Sequence, residues 1–253
     1  MRGKVMRAKA SMDESEHRFS EEERRGVYRA IYERRDVRSC FKPDDIPNDV
    51  LARLLDAAHH APSVGLMQPW SFIVIRDRQV RQTVYEIFDR ASRAAAQIYT
   101  DDRRALYETL KLAGILEAPV NLCVTCDEAT VRGHGLGRQT MRETAVYSTV
   151  CAVQNLWLAA RAEGVGVGWV SILDVDDLRS ALGIPEVVVP VAYLCLGYVT
   201  KFGTEPDLEI KGWEQRAPLA GLIHFDRYGA TDEARAGELL RSISTKRQGE
   251  NKS

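Results

Sequence analysis

A cluster of charged side chains at residues 33–38 has the composition of an anion-binding site. It places three arginines around one aspartate, in the order Arg34, Arg35, Asp36 and Arg38. Guanidinium groups donate parallel hydrogen bonds that match the oxygens of a phosphate, and their charge should keep the Asp36 carboxylate ionised. The segment therefore predicts a phosphate site that also carries a candidate base. A solvated basic helix end and a structural ion pair are the alternative interpretations.

Ser171 is a second polar group placed where it could act on a ligand. It is the only hydroxyl in the apolar run at residues 169–173, which we interpret as a buried strand, and glycines at 164, 166 and 168 come before it. Glycine lets the backbone approach a flat ligand closely, and the strand would then fix Ser171 beside that ligand. A core strand with an incidental serine is the alternative.

The other residues with reactive or metal-binding side chains give weaker signals. Cys123 and Cys126 form a CxxC, but in a probable strand, where positions three apart face opposite ways. The odd number of cysteines indicates reduced core residues of a cytosolic protein. His59 and His60 have no second histidine at ligand spacing, so we expect no metal. The sequence contains no G-x-S-x-G, P-loop or HExxH motif, which removes the usual support for a hydrolase or kinase.

The composition describes a globular protein with a sizeable core. The chain has 253 residues and a net charge of −1, which suits one large domain with arms and argues against a nucleic-acid binder. We expect a disordered extension at 1–19, a domain at 20–229, and a short helix with a disordered tail at 230–253. Residues 1–18 lack the apolar run of a secretory signal, so a cytoplasmic location is expected.

The stretch at residues 143–173 organises the predicted fold. No charged residue lies between Glu143 and Arg161, and a helix that is apolar nearly all round is buried in a core or at a subunit interface. Polar residues such as Ser148 and Gln154 interrupt it too often for a membrane span. Its predicted apolar positions are Val146, Val150, Val153, Leu156, Trp157 and Ala160.

The remaining elements suggest an α+β layered fold. A capping box at Ser20 and Glu23 opens a first helix, and Pro47 opens a second that ends by Pro62. A loop follows at 61–70, strands at 71–77, 121–127 and 190–199, and helices at 78–99 and 176–182. A further helix is expected around Leu106, Leu110 and Ile115. The apolar faces of the first two helices are assigned to Val27, Tyr28 and Ile31, and to Val50, Leu51, Leu54, Leu55 and Ala58.

Two segments have no regular pattern. The loop at 128–142 carries glycines at 133, 135 and 137, but their spacing differs from a dinucleotide-binding loop. We expect it to move over an active site. After Thr200 the chain becomes an irregular arm that is too apolar to lie free in water, so we expect it to pack on a partner subunit.

Four of these segments together resemble the flavin-binding nitroreductase fold: ERRDVR, APSVGLMQPW, the 143–173 stretch and KGWEQR. Within that family they are most similar to the 5,6-dimethylbenzimidazole synthase branch, because Asp36 stands where typical nitroreductases carry serine, and because of GWVS ending at Ser171. The resemblance covers residues 19–228. It implies a mixed central sheet flanked by helices, and a homodimer with a domain-swapped C-terminal arm and two FMN sites at the interface.

In that branch reduced FMN is the substrate, and oxygen-dependent fragmentation yields 5,6-dimethylbenzimidazole, the lower ligand of cobalamin. The resemblance implies that Asp36 is the base acting at the ribityl chain and that Ser171 lies near the flavin N5 edge. A separate flavin reductase would supply reduced FMN, with no metal, nucleic acid or membrane involved. The implied FMN-binding residues are Arg34, Arg35, Asp36, Val37, Arg38, Ser63, Met67, Gln68, Lys111, Leu112, Val170, Ser171 and Arg216.

Two other functions remain open at this point. A conventional NAD(P)H-dependent nitroreductase or flavin reductase would keep FMN as a recycled cofactor. A non-catalytic flavin-binding protein would release it unchanged. Asp36 is the sequence feature that separates the synthase from both.

Overall fold

The computed structural model describes residues 17–250. Most of the expected N-terminal extension and residues 251–253 lie outside this range. The chain forms two compact units, the first ending at Thr204 and the second beginning at Glu205.

The first unit is built on a four-stranded sheet with the order β1-β2-β4-β3. The strands are β1 (Trp70–Ile75), β2 (Val120–Asp127), β3 (Val165–Val170) and β4 (Val188–Tyr198). All three strand pairs are antiparallel. We expected a mixed sheet; among the described residues, the parallel pairing is confined to an isolated bridge between Asp36 and Val167.

The described part of this unit contains six α-helices, and most agree with the predicted positions. They are α1 (Glu21–Glu33), α2 (Asn48–His59), α3 (Arg78–Ala96), α4 (Asp101–Glu108), α5 (Thr144–Ala162) and α6 (Val175–Leu182). The capping box of α1 is confirmed, since the Ser20 hydroxyl accepts from the Glu23 N–H and the Glu23 carboxylate accepts from the Ser20 N–H. The helix that we expected around Leu106, Leu110 and Ile115 is shorter than predicted. Helix α4 includes Leu106 but ends at Glu108.

The helices form two layers, one on each face of the sheet. Helices α2 and α5 pack on one face, around Leu54, Leu156 and Leu194. Helices α3 and α6 pack on the other face, around Val84, Leu178 and Tyr193. Because both faces are covered, β2 is an almost uninterrupted run of buried residues, and a two-sided core of this kind holds the sheet as a rigid platform.

The strand before Ser171 differs from the prediction. We expected a strand at residues 169–173, but β3 is Val165–Val170, so Gly166 and Gly168 lie inside the strand and Ser171 follows its end. Of the three glycines, only Gly164 lies in the turn after α5, and its φ of 75° suits glycine. The strand starts early because β3 pairs with β4 from Val165 onward.

Some predicted core positions are exposed in the single chain. Val27, Tyr28 and Ile31 of α1 lie on its surface, and no residue of α1 is buried. Along α5, Tyr147 is 55% exposed and Val150 is 38% exposed. Exposed apolar faces of this kind are typical of surfaces that another protein surface covers.

The second unit contains α7 (Asp207–Ile210), a 3₁₀ turn (Leu219–Leu222) and α8 (Glu233–Glu250). Helix α8 is longer than the short helix that we expected after residue 230. Within this unit Ala236 is buried, and the Arg235 guanidinium lies 4.1 Å from the centre of the Phe225 ring. Ile210, Leu219 and Leu222 are exposed, and the packing of this arm on a partner subunit stays a prediction.

Within residues 17–250, no helix combines the length and the apolar character needed to cross a bilayer.

Candidate functional site

Asp36 is fastened to the edge strand of the sheet. The Val37 N–H donates to the Val167 carbonyl at 2.9 Å, which makes the parallel bridge. Two residues after Val167 on β3, the Trp169 N–H donates to the Asp36 Oδ1 at 3.0 Å. The side chain of Asp36 thus takes the place of a backbone carbonyl on a neighbouring strand, and its position is set by the sheet.

Glycines in β3 make this approach possible. A Cβ atom at Gly168 would lie 2.0 Å from the Val37 carbonyl oxygen, and one at Gly166 would lie 3.2 Å from Val37 Cγ2. The first distance is far inside van der Waals contact, so only glycine fits at 168 with this loop in place. The glycines that we expected to face a flat ligand serve here to seat the segment that carries Asp36.

Arg38 completes the surroundings of Asp36. Its guanidinium Nη2 forms an ion pair with Asp36 Oδ2, and the two side chains are 14% and 29% exposed, respectively. The Nε of Arg38 is buried and has no hydrogen-bond partner. A buried charged donor without an acceptor is costly, and it marks a place where a ligand acceptor would be favourable.

The other two arginines of the cluster have different surroundings. Arg34 lies over the ring of Trp157, 5.1 Å from its centre. Arg35 donates to the carbonyls of Tyr32 and Arg34 at 2.8 and 2.7 Å, and to that of Thr204. Arg35 thereby stabilises the segment that follows α1 and links it to the segment at Thr204. The three arginines are therefore not equivalent, which their spacing in sequence does not reveal.

Ser171 lies at the same end of the sheet as Asp36. It is exposed and comes two residues after Trp169, whose N–H binds the Asp36 carboxylate. Both predicted catalytic residues therefore border the C-terminal part of β3, and their catalytic roles stay predictions. The predicted flavin contacts Val37 and Val170 are both buried, so they contribute packing beneath this end of the sheet.

The loop at residues 61–70 contains three of the predicted flavin contacts. The Ser63 hydroxyl accepts from the Gln68 N–H at 3.1 Å, which closes the loop. Positive φ angles occur at Gly65, Leu66 and Gln68 (60°, 52° and 45°), and such angles in non-glycine residues store strain that often accompanies binding loops. Met67 differs from the other two: it is 1% exposed, so its side chain packs beneath the loop.

The remaining predicted flavin contacts are Lys111, Leu112 and Arg216. Lys111 lies after α4 and pairs with Glu117, and Leu112 beside it is partly buried. Arg216 belongs to the second unit, where its guanidinium lies 3.9 Å from Glu209. Their roles toward a flavin stay predictions.

Two open clefts border the loop at 61–70. One, of about 500 Å³, is lined by Gly65 and by residues of the 133–139 segment. The other, of about 320 Å³, is lined by His59, Gln68, Trp70, Phe72 and Arg132. Neither of these two clefts is lined by Asp36, Arg38 or Ser171. The Asp36 side chain itself is partly buried.

Three groups at the site were not predicted from the sequence. The Trp169 N–H gave no signal because any residue has one, whereas the glycine at 168 does hint at a close approach. Trp157 was assigned only to the core; it also donates through Nε1 to the Arg35 carbonyl at 3.3 Å. Arg132 donates to the Gln68 Oε1 at 2.7 Å, and no sequence pattern links residues 64 positions apart.

The CxxC cysteines are core residues, as predicted. Cys123 and Cys126 are both buried and lie in different apolar clusters. Burial raises the pKa of the Cys123 thiol to about 12 and that of Cys195 to about 12, so both stay protonated near neutrality. Among the described residues, no group of three or more His, Cys, Asp or Glu side chains is arranged to hold a metal ion.

Comparisons with known proteins agree on one family. The sequence matches the Nitroreductase family over residues 31–198. A 5,6-dimethylbenzimidazole synthase of Rhodospirillum rubrum is 48% identical over 185 residues, covering 73% of this chain and 87% of that protein. A protein of the same name from Rhodobacter capsulatus is 38% identical over 200 residues, covering 79% and 96%. The crystal structure of a BluB-like flavoprotein from Clostridium difficile 630 has a TM-score of 0.60 at 19% identity, covering 79% and 99%.

Proposed function

The chain belongs to the nitroreductase family, and from this premise we propose that it catalyses the oxygen-dependent fragmentation of reduced FMN to 5,6-dimethylbenzimidazole. The structural observation that carries the proposal is the position of Asp36. Its carboxylate lies between Arg38 and the Trp169 N–H, at the strand end that Ser171 follows. In a recycling flavin reductase this carboxylate would serve only to fasten its own loop to the sheet.

The residues present fit a flavin mononucleotide. Arg38 has a buried Nε without a hydrogen-bond partner, and Arg34 and Arg35 are further cations in the same loop. A reduced flavin is partly anionic, and preorganised cations stabilise such a charge. The flavin would supply the redox chemistry with oxygen. The protein would supply position and polarity.

The roles of the individual side chains follow from their contacts. Asp36 would accept a proton from the ribityl chain, because a positioned carboxylate can act as a general base. Arg38 would hold the orientation of that carboxylate and contact the flavin through its buried edge. Ser171, exposed at the end of β3, would donate to or accept from the N5 side of the ring.

A second copy of the chain would close the site. In the single chain the Asp36 side chain is still 29% exposed, whereas a reactive reduced flavin must be protected from water. The uncharged face of α5 with Tyr147 and Val150 is exposed, as is the apolar face of α1. We assign these faces to a homodimer interface and the segment after Glu205 to an arm that exchanges between subunits. The dimer would then bring Lys111 and Arg216 to the flavin site.

The setting of the reaction is also part of the proposal. Reduced FMN would come from a separate flavin reductase, and the product would serve as the lower ligand of cobalamin. All five cysteines are free thiols, which fits a reducing compartment, and we place the reaction in the cytoplasm.

The test is direct. Purified protein is incubated in air with FMN that has been reduced chemically, and the mixture is analysed for 5,6-dimethylbenzimidazole by chromatography and mass. We expect the product from FMN and little from riboflavin, which lacks the phosphate. Recovery of all the flavin as oxidised FMN would contradict the synthase.

The two rival functions make different predictions in the same experiment. A nitroreductase or flavin reductase would oxidise NAD(P)H rapidly with bound FMN and leave the flavin intact. A flavin carrier would show neither activity. Measuring NAD(P)H oxidation beside product formation therefore distinguishes all three.

A further inference from the structure

The loop at residues 128–142 is interlocked with the loop at 61–70. A Cβ at Gly133 would lie 2.5 Å from the Gly65 carbonyl oxygen, and one at Gly137 would lie 2.5 Å from Val64 Cγ1. Both glycines have positive φ angles, 70° and 78°. Two of the three glycines in this loop are therefore explained by close packing against its neighbour. The movement of this loop over an active site stays a prediction.

The interlocked loops are also anchored by polar contacts. The Val64 N–H donates to the Ser148 hydroxyl of α5 at 3.2 Å, which ties the 61–70 loop to the core. Arg138 donates to the carbonyls of Glu128 and Thr130 at 3.1 and 2.8 Å, which closes the 128–142 loop on itself. Between these anchors, Arg132 Nη2 donates to Gln68 Oε1 at 2.7 Å.

The Arg132 contact determines which end of the Gln68 amide faces the arginine. A guanidinium is a donor only, so it must meet the amide oxygen and never the amide nitrogen. The Nε2 group of Gln68 therefore points away from Arg132 and keeps its two N–H donors for another partner. Gln68 is one of the residues that we assign to the flavin site.

We propose that Arg132 is a positioning residue of the flavin site, which orients the Gln68 amide so that its Nε2 donates to an acceptor of the isoalloxazine ring. The inference rests on the proposed function in one respect, that the ligand of this site is a flavin. On this proposal, the 128–142 loop holds the 61–70 loop in its strained conformation. Arg132 itself need not touch the flavin.

The test is a titration of FMN and of riboflavin with wild-type protein and four variants. Arg132→Met removes the donor, Arg132→Lys keeps a cationic donor, and Gln68→Glu keeps an acceptor for Arg132 but removes the Nε2 donor. Arg142→Met is the control, since it makes the same charge change on an exposed residue at the end of the same loop. Thermal unfolding of each variant checks that it folds.

Arg132→Met should weaken the binding of FMN and riboflavin by the same factor, about tenfold for one charged hydrogen bond. Arg132→Lys should recover part of the loss, and Gln68→Glu should lose as much as Arg132→Met although its link to Arg132 remains. Two further variants, Gln68→Met alone and Gln68→Met combined with Arg132→Met, complete a double-mutant cycle in which the losses should not add. Arg142→Met should bind like the wild type.

Unchanged flavin affinity in Arg132→Met would overturn the inference, and so would a loss confined to FMN, which would place Arg132 at the phosphate. Wild-type affinity in Gln68→Glu would do the same even if Arg132→Met failed to fold. The titration needs no product formation. If wild-type protein binds flavin but makes no 5,6-dimethylbenzimidazole, the proposed function fails, and the role of Arg132 is still decided.

Discussion

The Asp36 carboxylate accepts a hydrogen bond from the Trp169 N–H at 3.0 Å, so the candidate base of the reaction is also the residue that fastens its own loop to the sheet. The two roles use different oxygens. Oδ1 receives the strand N–H, and Oδ2 pairs with Arg38. A substitution at this position can therefore affect folding, flavin binding and catalysis separately.

We expect Asp36→Asn and Asp36→Ala to separate these effects. The asparagine keeps an oxygen for the Trp169 N–H but loses the ion pair with Arg38, whereas alanine loses both contacts. Alanine should therefore reduce the free energy of unfolding more, by about 1–3 kcal/mol relative to asparagine. Both should lower single-turnover product by about 10²–10⁴-fold if Asp36 is the base. Denaturant unfolding and product yield on the same samples provide the measurement.

A purely structural role for Asp36 gives a different pattern. Product would then fall only in proportion to lost FMN binding, and Asp36→Asn at saturating reduced FMN would have wild-type yield. Ser171→Ala should lower product less than Asp36→Asn, because it removes a hydrogen bond and not a proton acceptor.

Gly168→Ala should displace the loop that carries Asp36. The new Cβ would lie 2.0 Å from the Val37 carbonyl, and backbone atoms cannot move aside as a flexible side chain can. We expect a loss of several kcal/mol in stability, or a folded protein without product. Gly26→Ala is the matched control, since nothing lies within 4 Å of its Cβ position in α1 and alanine favours the helix by roughly 1 kcal/mol. Equal behaviour of the two variants would contradict the close approach.

Arg35 and Arg38 should differ in what their removal changes. Arg35 is engaged by three backbone carbonyls, so Arg35→Ala should mainly lower the melting temperature. Arg38→Ala removes the ion pair with Asp36 and the buried Nε, so it should weaken FMN binding by roughly 1.5–3 kcal/mol. FMN and riboflavin titrations with thermal scans check this contrast. A variant of Arg35 that folds normally but binds FMN poorly would reverse the assignment.

A charge on the exposed face of α5 should disrupt the dimer. Val150→Glu places a carboxylate in the middle of a face with no charged residue, and burying an unpaired charge is strongly unfavourable. We expect monomer or aggregate in sedimentation experiments, with loss of flavin binding. Val187→Glu is the control, because Val187 is exposed at a site outside the proposed interface. A dimer unaffected by Val150→Glu would refute this interface.

The buried thiols make the stability of the protein sensitive to high pH. The pKa values of Cys123 and Cys195 rise from 9.0 to about 12 on folding, because burial disfavours the thiolate. The folded state thus holds these protons more tightly than the unfolded state. This stabilisation is complete below pH 9 and decreases as the pH rises toward 12.

Unfolding free energies measured between pH 8 and pH 11 should therefore fall, and serine at Cys195 should reduce the slope. Thiol labelling at pH 8 should modify the exposed Cys40 first and leave Cys123 and Cys195 intact in folded protein. Rapid labelling of either buried thiol would contradict their burial.

Much of the architecture was determined by the sequence alone. Periodic apolar residues placed α2, α3 and α5 correctly, because a helix that covers a core must repeat its apolar positions every three to four residues. The capping box at Ser20 and Glu23 located the start of α1, since its hydrogen bonds are local. The candidate base, Asp36, was found from its position among arginines and from the family resemblance.

What the sequence could not determine depends on contacts between distant segments. The pairing of Asp36 with Trp169 joins residues 133 positions apart, and that of Arg132 with Gln68 joins residues 64 apart. No local pattern encodes such pairs, so the roles of Gly168 and of the 128–142 loop emerged only in the structure. Likewise β3 begins at Val165 because β4 pairs with it there, and hydrogen bonds between strands override the apparent break at two glycines. Local sequence determines which elements form, while tertiary structure decides which backbone group meets which side chain at the site.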